Sequence, residues 1–251
     1  MKACVVLCPA ASKRLIAKGV VALPIVRAAL QSGTVVVTLG TTNACVAEEL
    51  LGEPVDRNRF AAGFIGHEWS VSGQASQARE LVLRRGKPVE LTDDDLLQSL
   101  GKGDVVLKGG NALDPWGTVG VLLGSATGGT VGRYLSRALA RGVDVVIPIG
   151  LEKAIHASVV DVAQELGSAR VDLSMGLRCG MHPLIGRVVT EIDALEILFG
   201  VEAVQVAAGG VGPGAGSVSL LLQGEPAAVR AAFDLVSSLP RGPEPALSGS
   251  A

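Results

Sequence analysis

An α/β protein with an open, mostly parallel sheet and flanking helices is the architecture this sequence predicts, on three observations. Apolar residues make up 48% of the chain but aromatics only 3%. Val, Leu, Ile and Ala must therefore fill the core, as they do where helices pack on a parallel sheet. Continuous apolar runs rich in β-branched residues, at 34–39 and 143–149, read as strands buried on both faces. These runs alternate with helical stretches, the order of βαβ units with right-handed crossovers. At 251 residues the length suits one large domain or two smaller ones. The pattern divides into an α/β ligand-binding domain over 1–175, a small α+β unit of ferredoxin-like pattern over 176–241, and a frayed tail over 242–251.

Taken in order, residues 3–7 form an apolar first strand. Ser12 is placed to cap a helix running from Lys13 towards Gln31, with Gly19 and Pro24 expected to divide it. Gly33 ends that helix, and the strand 34–39 runs into Gly40-Thr41-Thr42-Asn43. A helix over 44–51 stops at Gly52. Residues 53–80 are the least regular part and are expected to be a lid or an inserted loop. Short strands at 81–83 and 89–90 flank a basic turn, and Thr92 caps a helix whose three aspartates are helix N-terminal charge.

The central stretch is DVVLKGGNALDPWGTVGVLLGSATGGT, residues 104–130. A buried strand delivers Lys108 onto Gly109 and Gly110, with Asn111 and Asp114 close behind. A second glycine-rich turn ends in Gly128, Gly129 and Thr130. A lysine at a strand end beside backbone-exposing glycines is a common way to hold an anion. Strand, Gly-Thr-Thr-Asn, helix is likewise the order that aims helix N-terminal N–H groups at an anion. A helix over 131–140 and a strand over 143–149 lead to Glu152 and Lys153, at the sheet edge where open parallel sheets bind ligands. After a helix over 159–166, the C-terminal unit reads strand (188–189), helix (192–199), strand (203–207), glycine loop (209–216), strand (218–222), helix (227–237).

Composition excludes several classes. Net charge is −2 with no basic run, so no nucleic-acid partner is expected. No uninterrupted apolar run reaches membrane length and no signal peptide is evident, so a cytoplasmic protein without a membrane partner is expected. The four cysteines are scattered; Cys4 and Cys8, on or beside an apolar strand, read as small buried hydrophobes rather than a disulfide, and Cys179-x-x-His182 lacks the second pair of a metal site. No metal or cofactor is expected; a homo-oligomer is.

Two segments carry a family resemblance. Lys13-Arg14-Leu15-Ile16-Ala17, Gly33 and Leu39-Gly40-Thr41-Thr42 resemble the start of the sugar-phosphate-sensing domains of DeoR-type regulators. They are also similar to the GTGST segment of type A ribose-phosphate isomerases. Leu107–Leu113, LKGGNAL, resembles the isomerases' Lys-Gly-Gly-Gly-Gly-Ala-Leu segment, whose lysine reaches the substrate. Over roughly residues 1–155 the resemblance implies the fold shared by these isomerases, glucosamine-phosphate isomerases and CoA transferases. It implies that Thr41, Thr42 and Asn43 hold a phosphate and that Lys108, Gly109 and Gly110 meet the substrate. The chain departs from the pattern where the isomerases carry a proton-moving glutamate; here stand Asp114, Pro115 and Trp116. No CoA-transferase glutamate nucleophile is recognisable either. A complete DeoR-type repressor is not expected, since there is no room for a helix-turn-helix before Ser12.

Two functions follow from the residues and the resemblance together. In the first, Gly40–Asn43 holds the phosphate of a small anionic metabolite, Lys108 neutralises an oxyanion, and Asp114 or Glu152 moves a proton in isomerase- or transferase-type chemistry. In the second, the α/β part is a non-catalytic metabolite sensor and the C-terminal unit mediates assembly.

Overall fold

A computed structural model describes residues 1–72, 79–242 and 249–250. Strand β1 (Lys2–Leu7) is followed by helices α1 (Pro9–Ala22) and α2 (Pro24–Ser32), strand β2 (Thr34–Val37) and helix α3 (Thr41–Leu51). Next come two hairpins, β3 (Gly63–Ile65) with β4 (Trp69–Ser72) and β5 (Leu81–Arg84) with β6 (Lys87–Pro88), then helix α4 (Asp93–Ser99). Strand β7 (Val105–Leu107) leads into a third hairpin, β8 (Ala112–Leu113) with β9 (Val119–Leu123). A π turn over Val131–Leu135 opens helix α5 (Ser136–Ala140), and strand β10 (Asp144–Pro148) and helix α6 (Val159–Glu165) follow. The chain continues through β11 (Gly180–Leu184), β12 (Arg187–Val189), α7 (Glu191–Phe199), β13 (Glu202–Gly209), β14 (Ser217–Gln223) and α8 (Pro226–Ser238). A two-residue strand, β15 (Gly249–Ser250), pairs with β4. The rest of the tail expected to fray, 243–248 and 251, lies outside the described residues, as does 73–78 of the irregular region.

The central sheet is mixed, in the order β12-β10-β7-β2-β5-β6. Its first four strands run parallel, and the β5–β6 hairpin closes one edge antiparallel. Strand periodicity sends alternate side chains to opposite faces, and both faces are buried. Val36, Val106, Val145 and Ile147 enter one apolar cluster. Val35, Val37, Val105, Leu107 and Val146 enter the other, beneath Ile16, Val20, Val26 and the Ala44–Ala47 turn of the covering helices. The remaining sheets each have three strands: β1-β14-β13, β11-β9-β8 and β15-β4-β3.

Several expectations need correction. The division at residue 175 is not a division of strands or core. β1 pairs antiparallel with β14 along its whole length, Lys2 opposite Gln223 to Leu7 opposite Val218. β12 joins β10 in the central sheet, and one cluster contains Val5, Leu15, Ile147, Leu195, Leu220 and Val236 together. The C-terminal unit therefore has the expected α7-β13-β14-α8 order but borrows β1 for its third strand. Helix α1 starts at Pro9, whose missing N–H is harmless at the first helical position, so Ser12 lies inside the helix. Gly19 does not divide α1 but lets α7 approach: a Cβ there would lie 2.6 Å from Cβ of Ala194. The break comes at Leu23, before Pro24. Among the described residues no single helix is long and apolar enough to cross a membrane. α1 and α2 together reach that length and composition, but they bend by 63° and bury Leu15, Ile16, Val20 and Val26 in the core.

Candidate functional site

The parallel strands end side by side, and each carboxyl end delivers polar residues to one rim. β2 runs into Thr38 and then Gly40, the residue that caps α3. β7 runs into Lys108, whose N–H donates to Val146 O at 3.0 Å and keeps it in register with β10. β10 runs through Gly150 into a 3₁₀ turn over Leu151–Lys153, and β12 into Thr190 and Glu191. These are the places where an open α/β sheet meets ligands.

Helix α3 begins earlier than the sequence suggests, so Thr41, Thr42 and Asn43 form its first turn. Gly40 sits at φ +155°, a conformation that L side chains rarely adopt. Gly40 at the N-cap has no side chain to cap the helix, and the first-turn N–H groups, which have no intrahelical partner, carry the positive end of the helix dipole. Asn43 fixes the loop: buried Nδ2 donates to Thr38 O at 2.8 Å and to Leu107 O at 3.0 Å, tying the ends of β2 and β7 together. Thr38 Oγ1 donates to the same Leu107 carbonyl at 2.9 Å. Oγ1 of Thr42 and Oδ1 of Asn43 are buried without a hydrogen-bond partner among the described residues. Buried polar atoms are rarely left so.

Both β-strand glycine loops close on this point. Gly110 must be glycine, because a Cβ would lie 2.2 Å from Cγ1 of Val119. Lys108 Nζ donates to Gly109 O at 3.0 Å, and Lys153 Nζ donates to Gly110 O at 2.9 Å. Two ammonium groups are thus anchored on consecutive carbonyls. Lys108 is only 8% exposed; its burial, with the charge of Lys153 beside it, lowers its pKa to about 8. Asn111 Oδ1 accepts from Leu122 N at 3.0 Å, which turns the side chain along β9.

A cavity of about 820 Å³ lies over this rim. Gly40, Thr41, Thr42, Asn43, Lys108, Gly109, Gly110, Asn111, Gly128, Gly129 and Thr130 all line it, so the sequence-derived ligand residues meet at one place. Three lysines line it, Lys13, Lys108 and Lys153, and among the described residues no acidic one does. The β3–β4 hairpin forms another wall through Phe64 and Trp69. That hairpin lies within the stretch expected to be a lid, and it is pinned at its far strand: Trp69 N donates to Met175 O at 3.0 Å and Leu177 N to Trp69 O at 2.9 Å.

The two carboxylates expected to move protons are elsewhere. Asp114 does not line the cavity. Its Oδ1 accepts from Trp116 N at 3.0 Å and Thr118 N at 2.8 Å, and its Oδ2 accepts from Val159 N at 3.1 Å. Burial would raise its pKa, but these backbone donors outweigh burial and hold it below the usual carboxylate range. A carboxylate so committed is a clamp between the β8–β9 turn and α6, not a base. Glu152 also misses the cavity; its carboxylate folds over Gly150, and of the Glu152-Lys153 pair it is the lysine that faces the ligand space. Cys179 and His182 do not pair either. Three residues apart on an extended chain, they fall on opposite faces, Cys179 buried and His182 exposed. Among the described residues no cluster of three or more His, Cys, Asp or Glu could hold a metal ion.

No protein-family model, curated protein sequence or solved structure matches this chain significantly.

The sequence reading missed Lys13 and Glu191. Lys13 sits on α1, far from any glycine loop, and only the helix packing turns it to the cavity. Glu191 is the first residue of α7 and reads as ordinary helix N-terminal charge, yet it is fully buried. Its Oε2 accepts from Leu151 N at 3.0 Å, its Oε1 has no geometrically formed hydrogen bond among the described residues, and the Ser12 hydroxyl lies close enough to favour the charged form slightly. Burial, with Glu152 beside it, raises its pKa to about 7.

Proposed function

We propose that this chain binds a small anionic metabolite, a phosphate ester or a carboxylate, in the cavity over the sheet's carboxyl edge. The observation that carries the reading is the lining: three lysines, the uncapped N-terminus of α3 and the unpartnered Thr42 hydroxyl converge, with no carboxylate among the described lining residues. In a chain of net charge −2 this is a local concentration of positive charge, and helix N-terminal N–H groups with a lysine are a recurrent anion cradle. The phosphate or carboxylate sits against Thr41–Asn43, and the lysines neutralise it. The parallel run β12-β10-β7-β2, with its ligand loops after β2 and β7, supports the further proposal that the fold is that of the sugar-phosphate isomerase and CoA-transferase superfamily. Proton transfer by Asp114 or Glu152 is not part of the proposal, since neither reaches the cavity. Localisation in the cytoplasm and self-association remain part of it.

Two measurements test the reading. Saturating anion should raise the unfolding free energy by mass action, about 2.7 kcal/mol at a hundred times its dissociation constant. Lys108→Ala should weaken inorganic phosphate or sugar-phosphate binding about tenfold in calorimetry, the loss of a charge-assisted contact of roughly 1.5–3 kcal/mol. Affinity unchanged in that variant would mean that the anion, if bound, lies elsewhere.

A further inference from the structure

Lys108 combines features that anion binding does not require. An ammonium that only neutralises a ligand is better placed half in water, on a flexible stem. Lys108 is instead nine-tenths buried, its Nζ rests on its own neighbour's carbonyl, and it has no ion pair among the described residues. The adjacent carbonyl of Gly110 holds a second ammonium, that of Lys153, in the same cavity wall. The carboxylates that could compensate Lys108 from the same rim, Asp114, Glu152 and Glu191, do not line the cavity. A buried lysine beside another cation, lining a cavity, is the arrangement that turns an amine into a nucleophile.

We infer that Lys108 is an imine-forming residue: its Nζ attacks the carbonyl carbon of an anionic aldehyde or ketone seated in the cavity. This rests on the anion-binding reading, and it narrows the ligand class to phosphorylated or carboxylated oxo compounds. The neutral amine donates its lone pair to the carbonyl carbon while the C=O π electrons move to oxygen, which takes a proton. Nitrogen gives up a proton to leave a carbinolamine. Protonation of the hydroxyl then lets the C–O bond break, the nitrogen lone pair closes the C=N bond, and one water leaves. Amine and carbonyl give imine and water, with no oxidant or reductant. The Lys153 ammonium is the neighbouring group able to lend the protons that oxygen takes and to recover an equal number from nitrogen, the last when the iminium gives up its proton to become the neutral imine. Lys13, Lys153 and the α3 N-terminus remain to hold the substrate's anionic end. The lowered Lys108 pKa, about 8, leaves a useful fraction of free amine near neutrality.

The test is reductive trapping on the intact chain. Dihydroxyacetone phosphate, glyceraldehyde 3-phosphate and pyruvate are each incubated with the protein and sodium borohydride is added. Intact mass and peptide mapping then read the secondary amine, while phosphate binding is followed separately by calorimetry. The expected result is one adduct per chain on the peptide bearing Lys108, with a yield that rises as pH passes through about 8. Lys108→Arg should abolish it, because the guanidinium stays protonated and is no nucleophile. Adducts on Lys13 or Lys153 instead, or scattered over surface lysines as in the denatured chain, would overturn the inference. So would no adduct from any of the three compounds in protein that still binds phosphate, which leaves the anion site standing. Absence of both adduct and phosphate binding would overturn the anion-site reading as well.

Discussion

Asp114→Ala is expected to lower the unfolding free energy by about 3–5 kcal/mol, the scale of breaking a buried charged network, and to leave phosphate affinity nearly unchanged. The wild-type carboxylate accepts three backbone N–H groups, those of Trp116, Thr118 and Val159. Removal strands the buried Val159 donor at the start of α6 and opens the β8–β9 turn. Asp114→Asn should recover only part of the loss. Its amide keeps one oxygen for the turn but points an NH₂ at a donor on the other side. The pH dependence has a definite sign. The folded pKa lies below the unfolded one, so the stabilisation is present above about pH 4. It is lost as pH falls through the folded value. Urea unfolding of wild type and both variants at neutral and acid pH reads all of this. A variant of native stability that loses anion binding would return Asp114 to the site.

Glu191→Gln is expected to stabilise the protein at pH 8 by about 3 kcal/mol, from the rise of its pKa from 4.5 to about 7. The folded state holds the proton more tightly than the unfolded chain. The favourable contribution of this group is therefore complete below about pH 4.5 and lost as pH rises to about 7, after which it stays constant. Above that range the wild type keeps a charged carboxylate fully buried beside Glu152; glutamine is isosteric and neutral. At pH 4 the difference between wild type and variant should nearly vanish. Urea midpoints at the two pH values give the comparison, and a variant less stable than wild type at pH 8 would show that the Glu191 charge is compensated.

The parts that sequence displayed are those governed by short-range chemistry. β2, β7 and β10 are apolar runs bounded by glycine or proline. The loops at Gly40, Gly109 and Gly128 announce themselves because glycine at the carboxyl end of a strand permits close approach of a ligand. The Gly40 and Gly109 loops converge because β2 and β7 run parallel, whereas the Gly128 loop arrives from the antiparallel β8–β9 hairpin of a separate sheet. Partner choice between distant strands was not legible: nothing in residues 2–7 says that they pair with 218–223 rather than with β2. The hairpin β8–β9 was hidden by glycines that looked like ligand loop throughout, although Gly110 is needed for packing on Val119. Asp114 was misread for a related reason. A carboxylate after a glycine turn looks the same whether it faces a substrate or accepts the turn's own N–H groups, and only the positions of Trp116, Thr118 and Val159 decide. Lys13 and Glu191 lie on helices whose patterns explain them without any ligand.

The account depends on an anion lodging at the start of α3. Crystals soaked in sodium tungstate, with the tungsten located by anomalous scattering, test this most directly. The prediction is one principal site in the cavity, with the oxyanion against the N–H groups of Thr41–Asn43 and within reach of the Lys108 or Lys153 ammonium. Tungsten found only on the outer surface, with the cavity empty at concentrations that saturate those other sites, would contradict it.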